Sequence, residues 1–193
     1  MDDFKLFLEL AFRHVLDWNA YDHILFFIVL AVVYSFKDWK KTLWLITFFT
    51  IGHTITLALS VYELVSVRGE IVEFLILATI FITALVNLLT VSKKQFHQSN
   101  INQIFALVFG LIHGLGLSTL LKITIEDSAT KLWPMLYFAL GVELAQIVVV
   151  ALILVGGFIA QEFFKVKRRD WILVISSIVI GIILPLLFER KFW

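Results

Sequence analysis

Apolar positions along this chain gather into long runs, and polar positions collect in the gaps between them. Runs with few or no charges occupy 20–36, 42–62, 71–92, 101–121, 133–161 and 171–188. Each lies near the ~20 residues that a helix needs to cross a hydrocarbon core of ~30 Å. The pattern predicts six transmembrane helices. The first run is short, and the fifth is interrupted only by Glu143, while its Pro134 suits a first helical turn. Ahead of them, Phe4, Phe7, Leu8, Ala11, Phe12 and Val15 recur at helical spacing, with Lys5, Glu9 and Arg13 forming a polar stripe. Residues 4–16 therefore read as an amphipathic helix lying at the membrane interface. The whole chain, 1–193, is expected to be one all-α, polytopic membrane domain.

Composition agrees with the pattern and narrows the chemistry. The chain is 61% hydrophobic and 16% charged, with a mean hydropathy of +0.96, far from the balance of a soluble domain. Its first partner is the lipid bilayer, and no nucleic-acid partner is expected. There are no cysteines, which excludes disulfides, thiolate metal sites and iron–sulfur clusters. Any metal must bind to nitrogen and oxygen. The start, MDDFK, is acidic where a secretory signal carries positive charge, so no removable signal is expected.

Loop charges predict orientation. Lys37, Lys40 and Lys41, then Lys93 and Lys94, then Lys165, Lys167, Arg168 and Arg169 fall in alternate loops. The other loops carry only Arg68, Lys122 and Lys131. The basic loops should face the cytoplasm and both termini the outside of a cytoplasmic (inner) membrane. Trp18, Trp39, Trp44, Trp133, Trp171 and Trp193 all fall near predicted helix ends, as an aromatic belt requires.

Against this background the ionisable residues of the apolar runs stand out: Asp22, His23, His53, Glu73, His113 and Glu143. An ionisable group at the bilayer centre costs roughly 2.5–3.5 kcal/mol on insertion scales, so it persists where it pairs, ligates or faces water. The ~1.5 Å helical rise puts His53 and His113 both roughly 18 Å from the cytoplasmic side, with Glu143 about 15 Å below Trp133. Asp22 and His23 open the first membrane helix at its outer edge, and His14 stands just before it. Asn87 and Gln146 fall deeper, Gln146 on one helix face with Glu143. For His53 or His113 alone, a core histidine bonded to a backbone carbonyl or to Thr50, Thr54 or Thr56 competes with a ligand role. His97 reads as a loop residue. Glycines flank three of these groups: Gly52 by His53, Gly110, Gly114 and Gly116 around His113, and Gly141 near Glu143. Such small-residue patterns let helices approach closely.

Four stretches in order, YDHILF at 21–26, IGHTITL at 51–57, GLIHGLG at 110–116 and LGVELAQ at 140–146, together with EIVEFLI at 70–76 and Asn87, resemble the HupE/UreJ membrane proteins. These are hydrogenase and urease accessory proteins regarded as nickel or cobalt permeases. The resemblance spans most of the chain. It implies metal-related roles for Asp22, His23, His53, His113 and Glu143, with Glu73 and Gln146 as further positions.

The leading expectation is membrane transport of a divalent transition-metal cation, nickel or cobalt, through an intramembrane His/carboxylate site open to the outer side. Asp22, His23 and His14 would attract the ion, His53, His113 and Glu143 would hold it, Glu73 would assist access, and Gln146 and Asn87 would line the inward route. Imidazole suits nickel, cobalt and zinc alike. The same cluster also admits a membrane-embedded zinc hydrolase, with Glu143 and Asp22 as the catalytic carboxylates, and haem ligation by His53 and His113 is a third reading. No Walker glycine–lysine motif occurs, so transport would run on a gradient or on an accessory chain. A homo-oligomer is compatible with all of these.

Overall fold

The computed structural model describes residues 3–17, 22–92, 101–116, 124 and 130–190. Seven α-helices of six residues or more are present among the described residues, and no strand: α1 Asp3–Val15, α2 Asp22–Ala31, α3 Trp39–Val61, α4 Gly69–Thr90, α5 Ile101–Gly116, α6 Leu132–Glu162 and α7 Arg168–Glu189. A 3-10 turn, Phe36–Asp38, leads into α3. Trp18, Trp193 and His97 lie outside the described residues.

Among the described residues, four helices, α3, α4, α6 and α7, are long and apolar enough to cross a membrane. With large apolar side chains such as Ile51, Ile82, Leu152 and Ile178 facing outward, this is a membrane protein. Of the six expected spans, four are long helices, and α2 and α5 are shorter apolar ones among the described residues. α5 is described for 16 residues; the rest of its expected run, 117–121, lies outside the described residues. α2 covers ten residues, roughly 15 Å or half the hydrocarbon core.

Long-range hydrogen bonds finish α2 early. The Asn87 side-chain amide donates to the Val29 carbonyl at 2.7 Å, and the Arg168 guanidinium donates to the Val33 carbonyl. These side chains satisfy carbonyls that a continuing helix would have bonded, and the Arg168 charge sits favourably at the negative helix end. Val32, Val33 and Tyr34 stay buried beyond the helix, where irregular backbone is tolerable because protein surrounds it.

Glycine decides the closest packing. A Cβ at Gly110 would lie 2.1 Å from the Phe49 carbonyl oxygen, one at Gly52 would lie 2.3 Å from that of Leu107, and one at Gly114 would lie 2.2 Å from that of His53. α3 and α5 thus touch backbone to backbone. At Gly141 a Cβ would meet Ala11 at 2.6 Å, so α1 lies directly on α6. The expected apolar stripe of α1 is present, with Phe7, Ala11 and Val15 buried; it covers α6. α4 packs on α7 and on α2. An aromatic core of Phe26, Phe27, Phe49 and Phe138 fills the centre.

Candidate metal centre

Four helices each deliver one imidazole to the same place. His14 closes α1, His23 opens α2, His53 follows Gly52 on α3, and His113 precedes Gly114 on α5. Ring centroids lie 4.5 Å apart for His14 and His23, 5.4 Å for His23 and His113, 6.1 Å for His14 and His53, and 6.2 Å for His23 and His53. His23, His53 and His113 are buried. The glycine contact between α3 and α5 and the Gly141 contact beneath α1 give the rings room to converge.

Second partners fix two of the rings. The Asp22 carboxylate accepts from the His23 backbone N–H at 2.8 Å and lies 3.1 Å from His23 Nδ1. The Phe109 carbonyl lies 2.9 Å from His113 Nδ1. A proton on each Nδ1 donates to these oxygens and leaves Nε2 with its lone pair, an arrangement that commonly orients metal-binding histidines. His14 is held neutral: burial, with His23 beside it, lowers its pKa from 6.5 to about 3.

Among the described residues, five buried ring nitrogens have no hydrogen-bond partner: Nε2 of His14, His23, His53 and His113, and Nδ1 of His53. The ordinary core-histidine arrangement thus describes one nitrogen of His113 and neither nitrogen of His53. Of the threonines near His53, Thr50 is engaged with Gln146 and Thr56 with backbone carbonyls, and Thr54 lines a groove with Glu143. Among the described residues, no three His, Asp or Glu side chains already surround a point at metal-binding distance.

The remaining sequence-predicted residues lie elsewhere. Glu143 accepts from Thr47 Oγ1 at 2.7 Å, and Gln146 Oε1 accepts from Thr50 Oγ1 at 3.0 Å, so both face α3 on the side of Thr47 and Thr50. Glu73 is exposed and pairs with Arg190. Asn87, besides holding Val29, lies 3.4 Å from Ser176 Oγ. Sequence reasoning gave no role to Arg190 or Thr47, and to Arg168 none beyond its part in orientation. Arg168 and Arg190 sit at chain positions remote from their partners, and only the loop charge of Arg168 marked it at all.

No curated protein and no solved structure gives a significant match to this chain. A family model described as HupE / UreJ protein matches residues 1–190. That span takes in every imidazole of the cluster and all four motif stretches, and the chain belongs to the HupE/UreJ family.

Proposed function

We propose that this protein carries a divalent transition-metal cation, nickel or cobalt, across the cytoplasmic membrane, with His14, His23, His53 and His113 as its nitrogen donors. The observation that supports this is the set of partnerless ring nitrogens on four converging imidazoles. Each unpaired buried polar group costs about 1–3 kcal/mol, a cost that a bound cation offsets. An ion with bonds of ~2.0–2.1 Å to imidazole nitrogens holds neighbouring ring centroids roughly 5 Å apart in tetrahedral geometry. Four of the ring pairs, at 4.5–6.2 Å, bracket that spacing, and the rings shift to close on the ion. Membership of the HupE/UreJ family suggests a nickel or cobalt accessory or transport role and supports the same reading.

In this scheme Asp22 orients His23 and contributes negative charge near the donors. The ion arrives from the outer side, where both termini face, and leaves toward the basic cytoplasmic loops. The hydrolase alternative needs a carboxylate free to activate water at the metal. Asp22 is engaged by His23, and Glu143 by Thr47, which favours transport. Haem between His53 and His113 would need a slot between helices that touch through Gly52, Gly110 and Gly114.

Elemental analysis of the purified protein tests the reading. Wild type should carry stoichiometric nickel or cobalt, and the His53→Ala/His113→Ala variant should lose it while remaining in the membrane. Equal metal in both would refute the donor set, and zinc in place of nickel or cobalt would revive the hydrolase.

A further inference from the structure

A second polar cluster lies between α3 and α6, built from oxygen instead of nitrogen. Thr47 donates to Glu143 and Thr50 donates to Gln146. Both pairs have i, i+3 spacing, so they form two rungs facing each other across the helix contact. Thr47, Thr50 and Glu143 line a groove of about 280 Å³ that also takes in Ile51, Thr54, Ile55 and Ala139, and Gln146 joins it through its bond to Thr50. Ile51 and Ile55 are exposed, so the groove opens on the outer surface of the helices, where lipid lies. No Lys or Arg lines it. Gln146 is fully buried, and its Nε2 has no acceptor among the described residues.

A carboxylate in such surroundings is costly unless something neutralises it. Its hydrogen bond from Thr47 supplies a dipole and no charge. We propose that Glu143, Gln146, Thr47 and Thr50 bind a monovalent alkali cation, sodium by its charge and ligand preference, whose movement drives metal transport. The coupling role rests on the transport reading above; the binding site does not.

Donor chemistry separates the two sites. A carboxylate, a carboxamide oxygen and two hydroxyls are hard ligands suited to a hard cation, whereas nickel and cobalt favour the imidazoles. Charge separates them as well. One carboxylate and one monovalent ion form a neutral pair in an apolar setting, while a divalent ion would leave a net positive charge. A proton would use the carboxylate alone; the Thr50–Gln146 rung supplies the further oxygens that replace water around a metal ion. Each hydroxyl donates its proton outward to its partner and keeps its own lone pairs for an ion. The Gln146 amide oxygen accepts from Thr50 with one lone pair and keeps the second for the ion.

Binding of radiolabelled sodium to the purified protein in detergent tests the site apart from transport. Wild type and His53→Ala/His113→Ala should both show saturable binding, and Glu143→Gln, which keeps the shape, should weaken it by about tenfold or more. Thr50→Ala should weaken it less, and Glu143→Gln should keep its nickel or cobalt content. No saturable sodium binding in wild type, or equal binding in Glu143→Gln, overturns the site. In proteoliposomes an inward sodium gradient should accelerate metal uptake by wild type and not by Glu143→Gln. Uptake indifferent to sodium, or driven equally by a pH gradient in its absence, overturns the coupling.

Discussion

The imidazole cluster and the Glu143 groove both interrupt apolar helices, and α3 serves both, yet they treat polarity in opposite ways. Around His53 the protein brings four rings together and leaves five nitrogens without a partner among the described residues. Around Glu143 each acceptor receives a hydroxyl from α3, and the group left over is an amide Nε2. The first region is enclosed by aromatic rings, with Phe26 and Phe49 against His113; the second is a groove on the outer surface. Similar signals in the sequence, an ionisable residue beside a glycine in an apolar run, thus end as different chemistry. The partners decide which.

Substitutions can break that contrast or sharpen it. The largest effect is expected from His53→Ala/His113→Ala, which should abolish bound metal in elemental analysis while leaving the Glu143 side intact. Gly110→Val should come next. Its side chain would meet the Phe49 carbonyl oxygen, and forcing α5 off α3 should cost about 3 kcal/mol or more, read as a lowered melting temperature in detergent. Because α3 carries both regions, metal and sodium binding should fall together, unlike in the histidine variant.

His14→Ala removes one of four donors and should weaken metal affinity by about tenfold, measured by competition with a chelator. Thr50→Val leaves the Gln146 amide without any partner and should cost about 1–3 kcal/mol of stability, with metal content unchanged. Glu73→Gln should do least. Its pair with Arg190 is exposed on both sides, and such pairs contribute roughly 0–1 kcal/mol, so metal uptake should stay near wild type.

Much of the candidate cluster was readable from the chain because an ionisable residue in an apolar run is rare enough to mark itself. His23, His53 and His113, whose rings converge with that of His14, carried that signal, and His14 stood beside the first run. Glu73 and Glu143 carried the same signal and came to different ends, Glu73 beside Arg190 and Glu143 beside Thr47. Spacing along one helix gives depth and face, and it says nothing of which partner a neighbouring helix presents. The same limit applies to α2. Its apolar run extends past Tyr34, but Asn87 and Arg168, distant in sequence, take the carbonyls of Val29 and Val33 and end the helix.

By itself, then, the sequence determined that the protein is helical and lies in a membrane, which residues are expensive there, and where glycine permits close approach. These are local properties, set by hydropathy, period and side-chain size. Tertiary structure alone decided that α1 lies on α6 and brings His14 to the other three rings, that α3 and α5 meet backbone to backbone, and that Glu143 bonds to Thr47. Those outcomes depend on which surfaces meet, and hydrogen bonds and close contacts between remote residues are fixed only when the helices pack.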